Sequence, residues 1–139
     1  MKLLLGGGNK KIEGFVNIDI LPMPNVDIIH DLNKGLPMIN SDHVEEVIAE
    51  HVIEHLFNFP LLMNEIHRVC KKGAIVRIVT PHASYPQFWR DPTHVRPFTE
   101  ETFKYWEEWR WLYQYPEFKI LSTDISDLEQ MRITLQVIK

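Results

Sequence analysis

Leu3-Leu4-Leu5-Gly6-Gly7-Gly8-Asn9 is an apolar run that stops in three glycines, and Phe15-Val16-Asn17-Ile18-Asp19-Ile20 follows after a short interval. The first run shows no polar alternation, as expected of a strand buried on both faces. The second is also strand-like and carries an acid near its end. Apolar run, glycines, apolar run, acid is the order in which an α/β domain builds a nucleoside pocket. Glycines let backbone approach a ligand, and the acid accepts hydrogen bonds from ribose hydroxyls. An ordinary tight turn and a solvated strand-end acid are the alternatives.

The rest of the chain extends the alternation of strand and connection. Strands are predicted at Lys2–Leu5, Phe15–Ile20, Val26–His30, Val44–Ala49 and Ala74–Thr80. Leu21-Pro22-Met23-Pro24-Asn25 is a proline-broken link, and the stretch Asn33–Asp42 reads as loop. Asn58–Cys70 reads as a helix, with Asn58 as cap, Pro60 in the first turn, and Leu62, Ile66 and Val69 on one face. Gly73 is its expected left-handed stop. Thr99-Glu100-Glu101 opens a second predicted helix, followed by the aromatic run Trp106, Trp109, Trp111, Tyr113 and Tyr115. Phe118–Ile125 and Met131–Ile138 are too closely linked for a crossover helix and are predicted to pair antiparallel.

Length and composition set bounds. A chain of 139 residues, 45% of them hydrophobic, suits one globular domain spanning 1–139. The net charge of −4 and the lack of a Lys/Arg block argue against a nucleic-acid partner. No stretch approaches the roughly 18 apolar residues of a membrane helix. The apolar start Leu3–Leu5 ends at Gly6, too soon for a secretory signal. Cys70 is the single cysteine, so no intrachain disulfide forms. Together these lead to the expectation of a cytoplasmic protein.

Taken in order, these motifs resemble the class I S-adenosylmethionine-dependent methyltransferases, in particular their small, methyltransferase type 11-like members. The resemblance rests on Lys2–Asn9, Asn17-Ile18-Asp19, His30-Asp31-Leu32, Ala49–Leu56, Glu65–Ala74 and Asp91–Thr99. It implies an α/β, Rossmann-like sheet, mostly parallel with one antiparallel strand. It also implies S-adenosylmethionine as cofactor and methyl transfer as the reaction. The cofactor-binding residues it implies are Gly6, Gly7, Gly8, Asn9, Asp19, Ile20, Asp31, Leu32, Glu50 and His51. Of these, Asp19 would hold the ribose, and Asp31 and Leu32 the adenine. His55, His82 and His94 are the catalytic candidates, and Asp91 and Arg96 the candidates for substrate binding. For His82, Asp91, His94 and Arg96 the alternative is a loop held together by its own side chains.

The chain departs from that family where the first strands are joined. Nine residues lie between Leu5 and Phe15, and the link Leu21–Asn25 is shorter still. Parallel strands ordinarily need crossovers of about a dozen residues or more. Helices on one face are therefore expected to be reduced, and with a strand starting at Lys2 no helix is expected before it. The bare face is expected to be covered by a second subunit, giving a homodimer, or by the aromatic segment 106–115.

No Asn/Asp-Pro-Pro-Tyr/Phe follows the fourth strand, where relatives that methylate DNA bases or glutamine carry it. With the acidic charge balance, that points to a small-molecule or glycan acceptor. A catalytically inactive module that binds S-adenosylmethionine or S-adenosylhomocysteine is the first rival reading. A zinc hydrolase is the second, because His51-Val52-Ile53-Glu54-His55 is a His-x-x-Glu-His pattern that could place two histidines on one helix face.

Overall fold

The computed structural model describes residues 1–139. Seven strands form one sheet: β1 (Lys2–Leu5), β2 (Phe15–Asp19), β3 (Ile28–Ile29), β4 (Val44–Glu50), β5 (Cys70–Thr80), β6 (Phe118–Asp124) and β7 (Met131–Val137). Their order is β3-β2-β1-β4-β5-β7-β6. The contacts from β3 across to β5 are parallel, and β7 runs antiparallel between β5 and β6. This is the expected Rossmann-like sheet, mostly parallel with one antiparallel strand. The chain leaves β1 toward β2 on one side and reaches β4 on the other. That reversal opens a crevice at the carboxyl ends of the strands.

One α-helix, α1 (Phe59–Val69), packs against the sheet. Phe59, Leu62, Met63, Ile66 and Val69 are buried, and they join Leu3, Leu5, Val47, Ala49, Val76 and Ile78 in one core. Pro60 stands in the first turn as expected, but Asn58 does not cap the helix with its side chain. Its backbone N–H instead donates to Asn33 Oδ1 at 3.0 Å, tying the helix start to the loop after β3. Gly73 does not end the helix either. The helix stops at Val69, β5 begins at Cys70, and Gly73 lies within that strand. Its φ of 82° falls where the register between Val44 and Glu46 shifts by a bulge, a conformation glycine adopts without a Cβ clash.

β3 is shorter than predicted; Asp27, just before it, stays beside β2, its N–H donating to the Asn17 carbonyl at 2.9 Å and its carboxylate accepting from the Asn17 N–H at 2.8 Å. The segment opened by Thr99 is a 3-10 helix, Glu100–Trp106, rather than an α-helix. With three residues per turn, its buried Phe103 and Trp106 share one side. Trp106 meets Phe59 of α1 edge-on at 5.3 Å. The start of the aromatic run therefore lies on the α1 face of the sheet and does not cover the opposite face.

That opposite face is also less apolar than expected. Glu46 of β4 pairs with Lys2 of β1 at 3.0 Å and with Arg77 of β5, and Glu50 pairs with Lys10 at 2.5 Å. Ile48, Ile75 and Val79 are only partly buried between these charges. Between β1 and β2, where the resemblance implied a helix, the loop 6–14 lies on the sheet. It buries Leu4 and Asn17, and Asn17 Nδ2 binds the carbonyls of Gly8, Lys10 and Asn25 at 2.9–3.2 Å.

Candidate functional site

A cavity of about 470 Å³ opens at the strand reversal. This is within the usual range of small-molecule sites, roughly 300–1,000 Å³. Its walls come from Gly6 after β1, Asp19, Ile20 and Leu21 at the end of β2, His30–Asn33 after β3, and the turn after β4.

Asp19 is only 8% exposed and is fixed at both oxygens. Oδ2 accepts from the Gly8 N–H at 2.8 Å and Oδ1 from the Leu21 N–H at 2.9 Å. A carboxylate has about four acceptor positions, so two remain for a ligand. Asp31 accepts from the Asn33 N–H at 2.9 Å through Oδ1, and Leu32 is buried beside it. His30, which sequence reasoning did not single out, also lines this wall and meets the Gly35 carbonyl at 3.0 Å through Nε2.

Gly6 and Gly7 are tightly enclosed by the chain's own packing, and of the three glycines Gly6 lines the cavity. Gly6 has φ 64°, and its N–H donates to the Ile18 carbonyl at 2.8 Å. A Cβ there would stand 2.4 Å from Val52 Cγ2. A Cβ at Gly7 would come within 2.5 Å of Asn17 Oδ1 and Leu4 Cδ2. Gly7, Gly8 and Asn9 do not line the cavity, contrary to expectation. Asn9 is drawn to the next loop, where its carbonyl accepts from Asn25 Nδ2 at 2.7 Å. Glu50 is likewise outside the cavity, held by Lys10.

The opposite wall carries His51, Val52, His55, Leu56 and Thr93. His51 adopts φ 51°, an uncommon conformation for a residue with a side chain. Its Nδ1 lies 3.5 Å from Oε1 of the buried Glu54. That carboxylate raises the His51 pKa above its ordinary value, against the opposing effect of burial. The segment 50–55 is a strand end followed by the 3-10 turn Ile53–His55, not an α-helix. The helical apposition of His51 and His55 on which the hydrolase reading relied therefore does not form.

His55 instead meets His94, with ring centroids 4.9 Å apart. His94 Nδ1 is 2.7 Å from the Phe88 carbonyl, and its ring stacks on Phe88. Asp91 stays off the cavity and binds the Thr93 N–H at 2.8 Å and hydroxyl at 2.6 Å. These bonds hold its carboxyl below the usual pKa. His82 is remote from the cavity, bound between Ser84 Oγ and Glu100 Oε2, each at 2.8 Å. Arg96 faces away too. It donates to the Phe57 carbonyl at 3.2 Å and lines a separate aromatic cleft with Tyr105, Trp106, Tyr113 and Tyr115. For His82 and Asp91 the loop is held together by its own side chains. Cys70 is buried, which pushes its thiol pKa up to about 12 and leaves it unreactive near neutrality.

Glu54 entered the sequence reading only through the His-x-x-Glu-His pattern, and Thr93 had no site role there, although both stand inside motifs it quoted. Their signal was weak because each acts through a partner distant in sequence: Thr80 for Glu54, at 3.1 Å, and His55 for Thr93, at 2.9 Å.

No family model matches this chain, and no curated protein matches it. Solved structures do. An S-adenosylmethionine-dependent methyltransferase from Archaeoglobus fulgidus is 19% identical with a TM-score of 0.73, over 97% of this chain and 85% of its own. One from Aquifex aeolicus is 13% identical with a TM-score of 0.71, over 99% and 81%. The 1,6-didemethyltoxoflavin-N1-methyltransferase of Burkholderia thailandensis, solved with S-adenosylhomocysteine, is 11% identical with a TM-score of 0.73, over 99% and 71%. At such identities the likeness fixes the fold: it is that of the class I S-adenosylmethionine-dependent methyltransferases. No helix is long and apolar enough to cross a membrane.

Proposed function

We propose that the chain is an S-adenosylmethionine-dependent methyltransferase acting on a small-molecule or glycan acceptor. The observation that carries this reading is the placement of Asp19, Asp31 and Leu32 around one cavity at the strand reversal. The donor set fits the cofactor. Asp19 keeps two acceptor positions for the ribose hydroxyls, Asp31 Oδ2 is free for an adenine amino group, and Leu32 offers an apolar wall. When bound, S-adenosylmethionine supplies an electrophilic methyl group on a sulfonium.

The chain's own part is mainly to position the acceptor. His55 and Thr93 form the wall opposite Asp31 and Leu32. Thr93 Oγ1 donates to Asp91, so it accepts from His55 Nδ1–H, and the Nε2 of His55 carries the lone pair. That lone pair can take the proton of an acceptor hydroxyl. His82, bound to Glu100, drops out of the catalytic set. Calorimetric titration with S-adenosylmethionine tests the reading. Binding is expected, and no binding at millimolar cofactor overturns it. Turnover on an acceptor panel then separates an enzyme from the inactive binding module.

The second subunit belongs to the same proposal, through the aromatic segment rather than the ion-paired sheet face. Trp111 is 71% exposed and Tyr113 60%. Sedimentation is expected to show a dimer that Trp111→Lys dissociates. A wild-type monomer removes this part. Cytoplasmic location fits the single buried thiol.

A further inference from the structure

We propose that Glu54, His55 and His94 form a binding site for a divalent transition-metal ion of the zinc class. The ligand atoms they offer all lie within 4.8 Å of one another. They join the turn after β4 to the loop after β5, at the cavity wall formed by His55 and Thr93; with the ion bound, the His55 Nε2 lone pair is a ligand and no longer the base for an acceptor proton.

The hydrogen bonds around the two rings leave one nitrogen of each free to ligate. Thr93 has one hydroxyl proton, and it goes to Asp91 Oδ1 at 2.6 Å. Thr93 Oγ1 and the Thr93 carbonyl, 2.9 and 3.2 Å from His55 Nδ1, can therefore only accept from it. The proton of His55 is on Nδ1 and the lone pair on Nε2. His94 Nδ1 faces the Phe88 carbonyl at 2.7 Å, which also only accepts, so its Nε2 is the free atom as well. Metal-bound histidines are oriented this way, by a carbonyl or carboxylate chain on the far nitrogen.

Two further observations point to a cation. Glu54 is 1% exposed, has no lysine or arginine partner, and receives one hydrogen bond from Thr80 Oγ1 at 3.1 Å; the cationic group nearest it is the His51 ring, 3.5 Å away at Nδ1 and charged only when protonated. A buried carboxylate so sparsely satisfied calls for positive charge. Beside it, His94 Nε2 stands 3.4 Å from Asp91 Oδ2, so a lone pair faces a carboxylate unless a proton or a metal ion comes between them. Two imidazoles and a carboxylate are the ligand set that zinc and its neighbours favour over magnesium or calcium. Ligands about 2.1 Å from a tetrahedral zinc are about 3.4 Å apart, so binding would draw the two segments together by about 1 Å. The site differs from a His51/His55 pair, because the second histidine comes from the distant loop.

The test needs no S-adenosylmethionine, so its failure is separate from failure of the methyltransferase reading. The full chain is stripped with a chelator and titrated with zinc chloride by calorimetry. The expected result is one ion per chain with Kd below about 10 μM and a melting temperature that climbs with zinc concentration. His55→Ala and His94→Ala should each weaken binding at least about tenfold, while His43→Ala, at an exposed residue elsewhere, should not. Cobalt(II) should give a d–d absorption band that both site variants lose. Because His94 packs on Phe88, its variant can lose its fold. The wild-type melt then decides alone: no rise up to about 1 mM zinc overturns the site. Equal affinity in both folded variants overturns it too.

Discussion

Asp19→Asn is the perturbation that bears most directly on the pocket. The wild-type carboxylate accepts from the Gly8 and Leu21 amides and keeps two positions toward the cavity. Hydrogen bonds to a charged group contribute about 1.5–3 kcal/mol each. Because this carboxylate is already shared between two amides, the lower end applies, about 1.5 kcal/mol per ribose hydroxyl. Two such bonds correspond to a loss of about a hundredfold in affinity. The variant also sets an NH2 against one backbone amide, so some stability is lost in parallel. Comparing ligands separates the two effects. Adenosine and 2′,3′-dideoxyadenosine are titrated by calorimetry into both proteins. Wild type should prefer adenosine by about a hundredfold, and the variant should bind the two with nearly equal affinity. An Asp19→Asn protein that is folded and keeps the full preference for adenosine would refute the assignment of Asp19 to the ribose.

Two other predictions concern what holds the cavity in place. Gly6→Ala should lower stability by at least about 2 kcal/mol in urea unfolding, because a left-handed φ costs an alanine about 1 kcal/mol and its Cβ would overlap Val52; an unchanged midpoint would contradict this. Arg68 binds Glu65 at 2.6 Å and the Leu36 and Ile39 carbonyls at 3.0 Å, clamping the loop before β4 to α1. The Glu65 carboxyl is held below its ordinary pKa chiefly by Arg68, and also by the Leu36 N–H. A depressed carboxylate stabilises the fold above its unfolded-state pKa, and that contribution is lost as pH falls through the folded value. Glu65→Gln should therefore be less stable than wild type at pH 7, with the gap closing below about pH 4; a gap independent of pH would contradict the ion pair.

The sheet was legible because its strands are short apolar runs cut by glycine and proline, a local signal. Asp19 and Leu32 were legible for the same reason: each stands where a strand ends, and strand ends line the crevice. The roles of Gly7, Gly8 and Asn9 were not. A glycine required because Leu4 and Asn17 crowd it looks the same in sequence as one required by a ligand. The meeting of His55 with His94 was hidden by the intervening helix and strand. Gly73 was misplaced because a left-handed glycine serves a helix stop and a strand bulge equally well. The open face was misjudged because Lys2, Glu46 and Arg77 are scattered in sequence and become a ladder of charge only once the strands are in register.

The loop that replaces the first helix limits how the pocket can hold a ligand. A helix beginning after β1 would present unpaired amides to the cofactor's charged amino-acid end. Here the Gly6 N–H is taken by Ile18 and the Gly8 N–H by Asp19, and Gly7 is pressed against Leu4 and Asn17. Two of the loop's amides, those of Gly6 and Gly8, are thus committed inside the protein, to Ile18 and to the Asp19 carboxylate. Binding energy should then come mostly from the adenosine half of the ligand, through Asp19, Asp31 and Leu32. The expectation is that adenosine and S-adenosylhomocysteine differ in affinity by less than about tenfold, or about 1.4 kcal/mol. Competition calorimetry measures that ratio. If S-adenosylhomocysteine binds several hundredfold more tightly, the amino-acid end has strong partners of its own, and the loop 6–14 must release its amides when the ligand enters.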